Sequence, residues 1–124
     1  MTSEDSIHGR IDALFAAIDR KDANRFVEYL TDDAVFRFGS APAVQGRAAI
    51  EQAVSGFFST IDGCRHKLTA SWTGPETFAC EGEVTYRRHD GSEITLPFAD
   101  VFDLRGEMIC GYRIYIDIAP LFAA

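Results

Sequence analysis

The chain has 124 residues and a formal charge of −7; 47% of it is hydrophobic and 25% charged. That length buries a core as one domain, residues 1–124, without metal or disulfide staples. The acidic balance argues against a surface built to follow a phosphate backbone or an anionic bilayer, so neither nucleic acid nor membrane is expected as a partner.

Ile7, Ile11, Leu14, Phe15 and Ile18 recur at helical spacing and predict a first helix ending near Asp19-Arg20-Lys21, with Asp5 or Ser6 as its N-cap. Asp22 caps a shorter second helix whose apolar stripe is Phe26, Val27 and Leu30. Ala34 to Phe38 reads as a short strand, and a loop with Gly39, Pro42 and Gly46 leads to a third helix lined by Ile50, Val54, Phe57 and Phe58. Beyond Gly63 the pattern is sheet. His66, Leu68, Ala70 and Trp72 share one face of the next strand, opposite Arg65, Lys67, Thr69 and Ser71. After a turn at Gly74-Pro75, Phe78, Cys80, Val84 and Tyr86 point inward, and Asp90-Gly91 marks a tight hairpin. The last strand runs from Met108 to about Ile118, and neither of its phases is cleanly polar. Helices followed by long antiparallel strands predict an α+β fold with the helices on one face of a curved sheet.

Cys64, Cys80 and Cys110 have no metal-site or paired spacing and read as buried reduced thiols. His8, His66 and His89 are scattered without an HExxH or His-x-His motif, so no metal or other cofactor is expected. The polar start Met1-Thr2-Ser3-Glu4-Asp5-Ser6 is unlike a secretory signal, and no apolar run reaches the ~18 residues of a membrane span, so a cytoplasmic location is expected.

One residue breaks the pattern. Counting every second position from Ile94 gives Ile94, Leu96, Phe98, Asp100, Phe102 and Leu104, a carboxylate among large hydrophobes on one strand face. A carboxylate there must be neutral, paired or at work, because an isolated buried charge is too costly. It can serve as general acid, general base or oxyanion donor, or it can be a structural ion pair with an arginine such as Arg113. His66 is expected to point inward and exchange a proton with a carboxylate across the cavity, or to be a satisfied core histidine. Trp72, Tyr86, Phe36, Phe38, Phe98 and Phe102 can line a pocket for a flat ligand or simply fill the core. Tyr29 and Tyr115 offer hydroxyl donors, and Arg113 can neutralise a pocket carboxylate. Asp117 is either a site carboxylate or the cap of the Ala119-Pro120 turn.

Three strings, Tyr29-Leu30-Thr31-Asp32-Asp33-Ala34-Val35-Phe36, Val44-Gln45-Gly46-Arg47-Ala48-Ala49-Ile50 and Gly111-Tyr112-Arg113-Ile114-Tyr115-Ile116-Asp117, resemble the nuclear transport factor 2-like superfamily and its SnoaL-like branch. The resemblance implies a cone-shaped, cystatin-like α+β barrel, its curved antiparallel sheet carrying three N-terminal helices on the concave face. It also implies a deep apolar pocket for a hydrophobic small molecule and a homodimer through the outer sheet face. Asp100 matches the steroid isomerase aspartic acid that donates to the developing oxyanion, while that enzyme's base and oxyanion tyrosine fall at Phe38 and Leu14. Asp117 matches one aspartate of the limonene epoxide hydrolases, whose other members fall near Glu83 and Thr85. SnoaL-like cyclases chiefly need one acid/base carboxylate in an apolar cavity.

These readings imply cofactor-free acid/base chemistry on a hydrophobic carbonyl compound, with Asp100 as the acid/base group and His66 or Asp117 as its partner. The alternatives are a noncatalytic module binding an apolar molecule or a protein, which predicts Asp100 paired with arginine, and an epoxide hydrolase. Fold alone does not choose among them.

Overall fold

Ile7, Ile11, Leu14, Phe15 and Ile18 are all buried in the computed structural model, which describes residues 3–123. They form one face of helix α1, Ser3–Asp19, which starts early enough to place Asp5 and Ser6 inside it rather than before it. Asp22 caps α2, Ala23–Val27, accepting from the Arg25 backbone N–H at 3.0 Å. Strand β1 covers Leu30–Phe38, longer than its alternation suggests, and the loop after it holds a two-residue strand β2, Val44–Gln45. Helix α3, Arg47–Phe58, buries Ile50, Val54 and Phe58, each worth about 1.5–3 kcal/mol of apolar burial.

Four long strands follow: β3 Gly63–Gly74, β4 Thr77–Arg87, β5 Glu93–Arg105 and β6 Met108–Tyr115. A fourth short helix, α4, Ala119–Phe122, lies beyond the sheet, so the expected count of three is corrected. The hairpin at Asp90-Gly91 is wider than a two-residue turn, closed by the Arg88 N–H to the Ser92 carbonyl at 2.8 Å. The six strands form one curved, unclosed sheet in the order β2-β1-β6-β5-β4-β3. All neighbours are antiparallel except β1 and β6, which run parallel. The buried side chains of α1, α2 and α3 join the inward residues of the sheet in one hydrophobic core. Among the described residues no helix is long and apolar enough to cross a membrane.

Two bulges alter the simple alternation. Between Leu68 and Ala70 the register with β4 slips by one: Leu68 faces Gly82, but Ala70 faces Glu81 and Trp72 faces Ala79. A one-residue slip moves side chains to the opposite face, so Trp72 lies on the outer surface, 56% exposed, instead of pointing inward. Gly82 marks the spot, since a Cβ there would stand 2.0 Å from the Lys67 carbonyl oxygen. Between β5 and β6 the register shifts, Asp103 facing Gly111 and Leu104 facing Ile109, which brings both Ile109 and Tyr112 into the core and explains why neither phase of β6 is polar.

Candidate active site

The core leaves a cavity of about 250 Å³ between the concave sheet face and the helices. Its wall is mostly hydrocarbon, with Ile18 from α1, Phe26 from α2, Phe57 from α3 and Phe36 from β1 among the lining residues. Alternation on β5 puts Phe98 and Asp100 into the same wall.

Asp100 is 1% exposed. Its Oδ2 accepts a hydrogen bond from the Tyr112 hydroxyl at 3.0 Å, and its Oδ1 is a buried oxygen with no partner among the described residues. Burial pushes its pKa up to about 8, against the Tyr112 hydrogen bond, which pulls it down. The carboxyl is therefore predominantly protonated at neutral pH. Because Tyr112 occupies Oδ2, Oδ1 is the oxygen that carries the acidic hydrogen. Tyr112 is itself buried, packed between Phe26 and Phe102 with ring centroids at 5.9 and 4.2 Å, so the acid is held in one orientation. Burial likewise pushes the Tyr86 phenol and the Cys80 thiol up, the latter to about 12, keeping both neutral.

His66, on edge strand β3, lines the same cavity. Its Nδ1 lies 2.6 Å from Oδ1 of Asp19 and its backbone N–H donates to Oδ2 of Asp19 at 3.1 Å. The sulfur of Cys64 is 3.9 Å from the same Oδ1, so the three side chains could in principle share a metal, their donor atoms lying within 4.8 Å of one another. The 2.6 Å contact is a hydrogen bond, shorter than the separation of about 3.3 Å that two ligands keep around tetrahedral zinc. Burial, reinforced by the Asp19 charge, pushes the Cys64 thiol up to about 12, so it is protonated. The cluster has the geometry of an Asp–His dyad beside a neutral thiol.

The sequence model of the SnoaL-like domain matches residues 11–112, a span running from within α1 to within β6 and including Asp100 and His66. The chain belongs to the SnoaL-like family. Its fold is shared by a candidate SnoaL-like polyketide cyclase from Jannaschia sp. CCS1, with a TM-score of 0.83 and 13% identity over 94% of this chain and 89% of that one. TerC, solved with polyporic acid, superposes with a TM-score of 0.82 at 14% identity, covering 94% of this chain and 95% of its own. A nuclear transport factor 2-like protein from Anabaena variabilis ATCC 29413 gives 0.82 at 20% identity over 94% of each chain. At such identities the likeness establishes the shared fold alone.

Within this SnoaL-like domain, Asp100, His66, Phe36, Phe38, Tyr86 and Phe98 all border the cavity. The other residues singled out from sequence do not. Asp117 lies past the end of β6, exposed, and accepts from the Ala119 N–H at 3.1 Å as the cap of a turn. Arg113 stands opposite Val101 on the outer phase and pairs with Asp103 at 2.6 Å, so it is not the partner of Asp100. Tyr115, in the same outer phase, is 56% exposed. Tyr29 lies under the Arg10 guanidinium, 5.5 Å from its ring centre, away from the cavity. Phe102 is buried against Tyr112 and does not reach the cavity. Asp19 and Tyr112 are the site residues that the sequence reading misses. Tyr112 falls in phase with Ile114 on an apolar strand, a signal that could have marked it as a buried hydroxyl, whereas nothing local marks Asp19.

Proposed function

We propose that this SnoaL-like protein is a cyclase- or isomerase-type enzyme doing cofactor-free acid/base chemistry on a hydrophobic carbonyl compound. One observation carries the reading: a buried, neutral carboxyl with one unpartnered oxygen in the wall of an apolar cavity. Bound there, a carbonyl oxygen accepts the Asp100 proton and completes the missing hydrogen bond as negative charge develops on it. His66 is the partner base, since Asp117 stands outside the cavity. No arginine bonds Asp100 among the described residues, contrary to what a noncatalytic module with a structural ion pair predicts. Among the described residues, epoxide hydrolysis lacks its second carboxylate on the cavity wall. The candidate polyketide cyclase among proteins of this fold, and the polyporic acid complex of TerC, agree with a small-molecule role.

The test is hydrogen–deuterium exchange at activated C–H positions of cyclic enones and aromatic ketones in D₂O, followed by NMR. Exchange above the buffer rate is expected, falling about 10²–10⁴-fold in Asp100→Asn, which keeps the shape and the Tyr112 contact but cannot give up a proton. Undiminished exchange in that variant would refute the assignment.

A further inference from the structure

A second polar pole stands in the cavity wall, made by residues 47 positions apart. Asp19 closes α1 and grips His66 twice, through the backbone N–H at 3.1 Å and through Nδ1 at 2.6 Å. A carboxylate only accepts, so in the neutral ring the proton sits on Nδ1 and Nε2 keeps its lone pair. The imidazole packs against Phe15 and Phe98, with centroids at 4.9 and 5.3 Å, which restrains its plane. Among the described residues no group bonds Nε2.

Strand register sets the distance between the poles. His66 stands opposite Val84 and Asp100 opposite Cys80, an offset of four residues along β4, about 13 Å of strand. Phe98 lies on the same face between them. A cavity of about 150 Å³ takes a benzene ring. One of about 250 Å³ has room for a bicyclic skeleton reaching from one pole toward the other.

We propose that Asp19 is a positioning residue that fixes His66 with Nε2 as proton acceptor at the end of the cavity away from Asp100, and that the substrate is a conjugated carbonyl compound of bicyclic size that presents its carbonyl to Asp100 at one end and an acidic C–H to Nε2 at the other. The reaction assigned here rests on the acid/base reading above; the two-ended binding does not. Nε2 takes a proton from carbon, the C–H electron pair moves through the conjugated system, and the carbonyl oxygen takes the Asp100 proton. Conjugation is required because donor and acceptor stand at different ends. Return of the His66 proton to another carbon, and of the enol proton to Asp100, gives the isomer and restores both side chains.

In protein labelled with ¹⁵N-histidine, long-range ¹H–¹⁵N correlation should show His66 protonated at Nδ1 and bare at Nε2. In Asp19→Asn the backbone N–H of His66 claims the amide oxygen, which turns the amide N–H toward Nδ1 and should move the ring proton to Nε2. An Nε2–H ring in the unaltered protein overturns the positioning role. For the substrate class, fluorescence titrations with 2-naphthol and 2,6-dihydroxynaphthalene should favour the two-ended probe by about tenfold, one added hydrogen bond. His66→Phe should erase that preference while still binding 2-naphthol. Equal affinities in the unaltered protein, or binding of neither probe, overturn the two-ended cavity. If both results hold and no ketone exchanges, the acid/base reaction fails and the dyad survives as a binding element.

Discussion

Asp100 and His66 border one cavity under opposite conditions. Asp100 belongs to an interior strand, is 1% exposed, and has among the described residues a single neutral partner, the Tyr112 hydroxyl. His66 belongs to the edge strand, where α1 ends close enough to offer a carboxylate that is still 29% exposed. The interior group sheds its charge because nothing compensates it; the edge group is fixed by a partner that water continues to solvate. Polarity at the covered centre of the sheet comes from a neutral acid, and at its margin from a pair.

The largest expected contrast is in the dependence of stability on pH. The folded pKa of Asp100, about 8, lies above that of an unfolded aspartate, about 3.9. Between those values the native state holds a proton that the unfolded state has lost. This group's contribution is thus most favourable below about pH 4, declines by up to about 1.4 kcal/mol per pH unit, and levels off above pH 8. Urea unfolding of the wild type and Asp100→Asn at pH 5 and pH 8 should show the variant gaining by several kcal/mol at the higher pH. A difference that stays constant would mean that Asp100 is not held neutral.

Tyr112→Phe is the next test. It strips the remaining hydrogen bond from a buried carboxyl, for an expected loss of about 1–3 kcal/mol, and raises the Asp100 pKa further because that bond is what lowers it. Asp19→Ala should cost less, about 1 kcal/mol or below, since its pairing is partly solvated. Chemical denaturation of the two variants at pH 7 makes the comparison, and equal losses would erase the distinction between centre and margin.

Much of the interior pole is legible in the chain, because strand alternation alone puts Asp100 among Phe98, Phe102 and Leu96. The family strings likewise anticipate the helices and the curved sheet. The margin is far less legible. Asp19 precedes Arg20-Lys21 and reads as an ordinary polar helix end; its link to His66 exists only after β3 packs beside α1. Trp72 shows a different limit: its phase predicts an inward ring, but the bulge at Leu68/Ala70 reverses it, and the hint, Gly82, lies on the neighbouring strand. Asp117 continues the phase of Arg113 and Tyr115 in the sequence, yet the strand stops at Tyr115 and leaves it to cap a turn.

The place of β6 has a consequence for synthesis. It follows every other strand in chain order, yet it is inserted between β1 and β5, touching one in parallel and the other antiparallel. A growing polypeptide that has reached Arg105 leaves the β1 and β5 edges without the strand that joins them, a state open to wrong pairing. Tyr112 emerges on that closing strand, so the hydroxyl that steadies Asp100 arrives in the same event that seals the sheet.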